Sequence, residues 1–350
     1  MSRTEALSQE VVLEDGPEIQ GLVFRGFEGK SDYPHVLALI NAAKTEDEVE
    51  RSDTLEDVAR YYEHLHHCDP YEDMLFAQVD GEVVAYSRVE WNINKDGEWL
   101  GFHINFMHPD WRRQGIGGAM LRWNEARLRE IAARQLQDGE IQDTTPLYFE
   151  TYVASGEVGK HALLDRHGYG AVRHEYAMRR SLAEPVEITP LPDGLKLRPG
   201  RREQARQIWD AAQEAFRDHW NYIPEPEEEY QRWLKSSEFD PSLWKVAWEG
   251  DEVWGMVLNF VNENENEEYG RRRGYTEAIS VRRPWRRRGL ARALLTRSLQ
   301  MFKDMGMTEA ALGVDAQNTS GALRLYESVG FRVEKHDTIY RKRFETANSR

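Results

Sequence analysis

Two stretches place arginines and small residues at the spacing an anion-binding loop needs. They are Arg112, Gly115 and Gly117 in "MHPDWRRQGIGGAML" and Arg286, Gly289 and Ala291 in "VRRPWRRRGLARALL". Small side chains let a backbone approach a ligand, and successive N–H groups at a helix start converge on negative charge. Flanking arginines add charge-assisted bonds to phosphate. The second stretch carries five arginines from Arg282 to Arg288, in a chain where 46 Lys and Arg face 61 Asp and Glu, a net charge of −15. A lone run of this kind also suits a solvated patch or an import signal. A second copy 174 residues away favours a ligand. Neither copy has the Gly-Lys-Ser/Thr ending of a P-loop or the spacing of a dinucleotide fingerprint, so nucleotide hydrolysis and hydride transfer are not expected.

The elements that must hold these loops are written twice. "MLFAQVDGEVVAYSRV" and "LWKVAWEGDEVWGMVL" both alternate apolar and polar residues about a Gly/acidic turn, which reads as a β-hairpin. Each loop then sits between a strand and an amphipathic helix. "PLYFETYVAS" and "TEAALGVDAQ" follow as further strands. "LLDRHGYGAVRHEYAMRR" and "RLYESVGFRVEKHDTIYRKR" read as a helix stopped at Gly168 or Gly330 and a last strand. The first half holds twelve extra residues in "LREIAARQLQDGEIQDTT", a longer helix and loop. The Pro- and acid-rich "AEPVEITPLPDG" marks the join. The expected domains are residues 1–183 and 194–350, with 184–193 as linker.

With 40% hydrophobic residues and 11 tryptophans the chain can pack substantial cores. No apolar run approaches the roughly 20 residues of a membrane span, and "MSRTEALSQE" lacks a signal peptide's apolar stretch. The single cysteine, Cys68, forms no intrachain disulfide and fits a reducing compartment. A cytoplasmic monomer or homodimer is expected, with no membrane partner and, given the net charge, no nucleic acid. The spacing of His64, His66, His67 and Cys68 matches no standard zinc site, and no metal is expected.

The paired loops and "ALRLYESVGF", Ala322 to Phe331, resemble the GNAT superfamily of acetyl-CoA-dependent N-acyltransferases over about Leu22 to Phe344. The wording "VDAQNTSGALRLYESVGF" looks most like its mycothiol-synthase branch. The resemblance implies the α/β class, with two tandem acyl-CoA N-acyltransferase domains. Each would be a mixed, mostly antiparallel twisted sheet flanked by helices. It implies acetyl-CoA as co-substrate, with its pyrophosphate on Arg286, Arg287, Arg288, Gly289, Leu290 and Ala291. Arg112, Arg113, Gln114, Gly115, Ile116 and Gly117 repeat that loop. Ile279, Ser280 and Val281 would bind the pantetheine and thioester through their backbone.

N-acylation needs a neutral amine and a proton for the departing thiolate. Tyr326 stands where the family places the acid; its other reading is a core tyrosine. Glu277 in "YTEAISV" is the candidate base, directly or through water, or else a cross-strand charge partner. Alternation sets Glu277 on one face with Tyr275 and Ile279. Asn318 either bonds the cofactor or caps the next helix. In the first copy Leu164 replaces Tyr326 and His103 replaces Glu277, as a base or a buried structural histidine. The first domain is therefore expected to be degenerate and the second catalytic. Cys68 lies outside every motif, so a route through an acyl-cysteine is not expected.

The expected reaction is direct acetyl transfer to a primary amine of a small molecule. The alternatives are mycothiol synthesis, on a cysteinyl-sugar amine, and acyl-CoA binding without turnover. The aromatic and acidic "AFRDHWNYIPEPEEEYQRW" and "VNENENEEYG" would suit a cationic acceptor. The second reads first as a solvated turn.

Overall fold

The computed structural model describes residues 10–346, which leaves all of "MSRTEALSQE" but Glu10 outside the described residues. The chain divides into two compact units, one running to Val172 and resuming at Thr338, the other Arg173–Asp337.

In chain order the first half gives β1 (Leu22–Arg25), α1 (Tyr33–Glu46), α2 (Leu55–Tyr62), α3 (Pro70–Asp73), β2 (Met74–Val79) and β3 (Glu82–Ile93). It continues with β4 (Trp99–Met107), α4 (Ile116–Gln137), β5 (Leu147–Val153), α5 (Val158–Arg166) and β6 (Gly170–Ser181). The second half gives β7 (Lys196–Arg198), α6 (Ala205–Phe216), α7 (Glu227–Leu234), β8 (Lys245–Glu249), β9 (Glu252–Phe260) and α8 (Glu263–Glu268). It ends with β10 (Arg273–Val281), α9 (Leu290–Asp304), β11 (Glu309–Asp315), α10 (Ala322–Ser328) and β12 (Arg332–Phe344). Both expected hairpins are present, and α4 has 22 residues against 15 in α9, which carries much of the extra length of the first half. Gly168 and Gly330 follow their helices at φ +80° and +96°, the left-handed stop that glycine adopts without a Cβ clash.

In the first unit β1 to β4 pair antiparallel in sequence order, and β5 joins β4 in parallel. In the second, β7 to β10 repeat the antiparallel run and β11 joins β10 in parallel. Parallel neighbours need a crossover, and α4 and α9 supply it.

The sixth strand of each unit comes from the other half of the sequence. Thr338–Phe344 of β12 pairs antiparallel with β5, from Thr338↔Val153 to Phe344↔Leu147. Glu175–Ser181 of β6 pairs antiparallel with β11. Tyr340 and Phe344 accordingly pack with Trp99, Leu128 and Phe149 in the first unit's core. Met178 and Leu182 pack with Leu299, Phe302 and Leu312 in the second. Each large aliphatic side chain so buried contributes about 1.5–3 kcal/mol.

In the second unit α9 and α10 cover one sheet face through Leu295, Leu299, Tyr326 and Phe331. On the other face α6 buries Ala205, Ile208, Ala211, Ala212 and Ala215, the 3–4 spacing of a helix with one apolar side. Residues 184–193 lie within this unit. There the Thr189 N–H donates to Thr296 Oγ1 at 3.3 Å, and Leu191 packs against the cluster of Trp285, Leu290 and Leu294.

"VNENENEEYG" is not a solvated turn. It forms α8, capped by Asn262, whose side chain accepts the Glu265 N–H. Glu265 and Asn266 are buried, Glu265 pairing with Arg271 and accepting the Tyr275 hydroxyl. A run of acidic and amide residues becomes helical here because a cap and a partly buried arginine partner are both within reach. Among the described residues no helix is long and apolar enough to cross a membrane.

Candidate active site

Strands β10 and β11 pair only at Tyr275↔Ala311 and the two positions before it. Beyond that point the edge of β10 facing β11 has no ladder partner among the described residues, so the strands open into a cleft. On its other side β10 stays paired to β9, with a register shift: Glu277↔Leu258 is followed by Ser280↔Met256, one extra residue on β10. Ala278 sits in this bulge at φ +46°. A bulge reverses the facing of the residues beyond it.

The bulge corrects the expected facing. Glu277 shares its face with Ser280, opposite Leu258 and Met256 on the α6 side. Ile279 instead packs toward the α9 side with the clusters around Leu290 and Leu299. Simple alternation misplaced Ile279 because it assumed an unbroken strand. Val281 lies beside Trp285 and Leu290, and its carbonyl accepts Arg286 Nε at 2.9 Å. Ser280 is 7% exposed, and its Oγ has no hydrogen-bond partner among the described residues.

Burial pushes the Glu277 carboxyl up to about 7, and the nearby Glu175 and Glu238 carboxylates add to the rise. The N–H groups of Gly313 and Ala278 oppose it by donating to the carboxylate. Tyr326 is 6% exposed, on α10 within the core of Leu312, Val314 and Phe331. Burial first, then the charge of Glu277, pushes its hydroxyl well above the ordinary tyrosine value. Tyr326 is thus a core tyrosine, and its neutral hydroxyl lies within the electrostatic reach of Glu277.

The loop between β10 and α9 turns through Arg287 at φ +61° and Gly289 at φ +82°, the latter capping α9. A side chain at Gly289 would meet nothing within 4 Å, so its N-terminal cradle is open. Leu290 is buried beneath it, anchoring the helix start. The five arginines divide by role. Arg282 pairs with Glu214 at 2.7 Å and lies over Trp254. Arg283 and Arg286 both bond Asp218, just past the end of α6, the latter at 2.6 Å. Arg286 also donates to the carbonyl of Ala215 at 2.9 Å. The Arg283 and Arg286 guanidiniums hold the Asp218 carboxyl well below the usual range. Arg287 and Arg288 are exposed, Arg288 resting over Trp285. Arg286 therefore braces the loop, while Arg287 and Arg288 stay exposed beside the start of α9. Sequence reasoning missed Asp218; its counterpart in the first repeat was the available signal.

That counterpart is Asp47, which follows α1 and takes Arg112 in a bidentate pair at 2.6 and 2.7 Å. Arg113 repeats the positive φ at +62°, and Gly115 caps α4 at φ +94°. Gln114 bonds the carbonyl of Asp110, Ile116 is buried, and Gly117 is partly covered. A side chain at Gly115 would meet Pro17 at 3.1 Å, so the N-terminal segment lines this loop where Gly289 is open. The β3–β4 register runs without a shift from Ala85↔Met107 to Ile93↔Trp99, so this unit has no counterpart of the β10 bulge. His103 is 2% exposed, bonds the Tyr169 hydroxyl at 3.1 Å, and is held down at about 3 by burial. It is a neutral, buried imidazole. Leu164 lies in the core.

Asn318 closes the turn after β11 by accepting the Ser320 N–H at 2.7 Å. Burial pushes the Cys68 thiol up to about 12, which keeps it protonated and a poor nucleophile. His67 stacks on Trp91 at 3.7 Å and bonds its carbonyl. His219, Trp220 and Tyr222 of "DHWNYIP" are each partly buried, and Trp220 lies over Arg173 at 5.0 Å.

The profile of the acetyltransferase (GNAT) family matches residues 36–140 and 205–331, one match for each repeat. The chain belongs to the GNAT acetyltransferase family. Enzymes of this family use acetyl-CoA, and this acetyltransferase is an acetyl-CoA-dependent N-acetyltransferase with tandem GNAT domains. It is 29% identical to a mycothiol acetyltransferase of Geodermatophilus obscurus over 320 residues, 88% of this chain and 93% of that protein. It is 28% identical to a mycothiol acetyltransferase of Thermobispora bispora, over 90% of this chain and 97% of that one. Among solved structures, a GCN5-related N-acetyltransferase from Sphaerobacter thermophilus superposes with a TM-score of 0.67 at 26% identity, covering 95% of this chain and 99% of the other. A tandem GNAT protein from the clavulanic acid biosynthesis pathway shares the fold at a TM-score of 0.62 and 15% identity, covering 92% and 98%.

Proposed function

We propose that the second unit of this acetyltransferase transfers acetyl from acetyl-CoA directly to a primary amine of a small molecule. The observation that carries the reading is the asymmetry of the repeats. Glu277 and Tyr326 lie within electrostatic reach of each other in one unit, whereas neutral His103 and apolar Leu164 hold those positions in the other. The second unit's residues fit acetyl-CoA. The open helix start at Gly289 and exposed Arg287 and Arg288 would take its pyrophosphate, and the β10 edge from Ile279 to Val281 its pantetheine arm. Bound there, acetyl-CoA supplies an activated thioester.

Glu277 takes the amine's proton, its raised value placing it near neutral pH where a base works best. Tyr326 gives a hydrogen bond, and then its proton, to the departing sulfur. The two steps assist each other, because protonating Glu277 removes the negative charge that holds the Tyr326 hydroxyl up. In the first unit, Arg112 to Gly117 are assigned a second, non-reacting CoA site with Pro17 as one wall.

A second acceptor reading, a cysteinyl-sugar amine, is favoured by the name that several relatives carry. Free-thiol release from acetyl-CoA across a panel of amines, cysteinyl conjugates and aminoglycosides tests both. Release with an amine separates an enzyme from a CoA-binding protein, and thiol release with none of them overturns the proposal.

A further inference from the structure

Lys245 opens β8 on the face that packs against α9. Its cross-strand partner is Val257, and both Val257 and Ala247, the next β8 residue on that face, join the cluster of Leu290 and Leu294. The lysine stem therefore lies along apolar surface, and its amine comes out over the last turn of the helix. There Leu294, Ser298 and Met301 follow one another at helical spacing down one stripe of α9.

The amine meets a thioether. Lys245 Nζ donates to Met301 Sδ at 2.8 Å, and among the described residues no carboxylate pairs with it. Elsewhere Lys30, Lys160 and Lys342 are each paired with a glutamate, and Lys44 and Lys303 donate to carbonyl oxygens. Sulfur is a weak acceptor, so the contact with Met301 returns little of the hydration that the ammonium gives up. Burial moves the Lys245 ammonium below the usual lysine value, and no nearby charge offsets it. An amine that sheds its proton readily is a nucleophile, and the co-substrate of this family is an acyl thioester. Met301 is partly exposed and unbranched, so it can turn aside to admit the thioester carbonyl.

We propose that Lys245 is a self-modification site of this chain, acetylated by acetyl-CoA from solution. The neutral amine attacks the thioester carbonyl carbon. A C–N bond forms as the C–S bond breaks, and the departing thiolate takes up the proton that the nitrogen sheds. The product is a neutral amide, which removes a charge that the apolar face of α9 accommodates poorly. The reaction does not pass through the site beside Glu277. Lys245 on β8 is two strand spacings from β10, on the order of 10 Å, with β9 between them.

Incubation of the whole chain with acetyl-CoA near neutral pH, followed by peptide mapping in a mass spectrometer, tests this. Lys245 should be acetylated at least about fivefold faster than the exposed Lys95 and Lys196, because a larger share of it is neutral. Met301→Glu sets a carboxylate against the ammonium and should bring Lys245 down to the rate of those two. Met301→Leu keeps the packing without adding charge and should preserve the fast rate, which separates the charge from any disturbance of the fold. Tyr326→Phe and Ala291→Asp, which disable the proposed active site, should leave Lys245 acetylation as it is in the wild type. Equal rates at the three lysines, a fast rate kept in Met301→Glu, or loss of the modification in Tyr326→Phe or Ala291→Asp overturns the proposal. Acetylation of added amines is read separately, because it depends on Tyr326 and the modification of Lys245 does not.

Discussion

Glu277 and Ser280 lie three residues apart on β10 and yet face the same side of the sheet, because one extra residue is taken up between them. The bulge at Ala278 thus does two things. It carries a carboxylate and a hydroxyl with no partner among the described residues to the α6 side, and it turns Ile279 toward the α9 side. The first unit, whose corresponding strand keeps its register, has neither arrangement.

Glu277→Gln should lower kcat by about 10²–10⁴, the usual size of an acid–base contribution. In the wild type kcat/KM should rise with pH through about 7, as the Glu277 carboxyl ionises; that limb should vanish in the variant. Stability should move the other way. The folded-state value lies above the ordinary 4.5, so Glu277 contributes stability that is present below about 4.5 and lost as pH rises through about 7. The glutamine variant should therefore be more stable than wild type at pH 8, by on the order of 3 kcal/mol, and match it at about pH 4. Thermal melts at the two pH values decide it, and a variant less stable at both would contradict the burial argument.

Tyr326→Phe should cost at least about tenfold in kcat, with the acetyl-CoA KM little changed, since the proposed role of the hydroxyl is on the leaving group and not in cofactor binding. Steady-state kinetics with a saturating amine reads this, and an unchanged kcat would take Tyr326 out of the chemistry.

Asp218→Ala should raise the acetyl-CoA KM about three- to tenfold and leave kcat nearly alone, by freeing the Arg286 brace that holds the loop. Asp218→Asn keeps an acceptor and should fall between. The pairs lie at the surface, where solvent screens them, so melting temperature should barely move. A fall in KM would mean that Asp218 competes with the cofactor for these arginines.

Native mass spectrometry should find two CoA molecules on the wild type and one on Gly117→Asp. The new side chain meets only ordinary contacts with Met107 and Leu163, but sets a carboxylate beside the pyrophosphate. Ala291→Asp should remove the other and abolish turnover. Unchanged stoichiometry in Gly117→Asp would end the claim of a site in the first unit.

The repeats, hairpins, loops and helix stops were legible because each leaves a local mark: alternation, a small residue at a capped helix start, a glycine forced to positive φ. Matching the two repeats position by position is likewise enough to set Leu164 and His103 in the places of Tyr326 and Glu277. Three things could not be fixed from local marks. At Ala278 the alternation falters, with Thr276 and Glu277 both polar and Ala278 and Ile279 both apolar, but only the β9 register shows that an extra residue is taken up there. Asp47 and Asp218 lie far in sequence from the arginines they hold, and nothing in either short stretch announces the pair. "NENENEE" has the composition of solvated surface, and Arg271 with the Asn262 cap makes it a helix.

The origin of β12 has a consequence during synthesis. Tyr340 and Phe344 complete the core containing Trp99 and Phe149, yet they leave the ribosome long after the strands they join. The N-terminal half must therefore wait, with the edge of β5 unpaired, until the whole second repeat has been made. A gene cut anywhere between the repeats would yield two fragments, each missing the strand that finishes it.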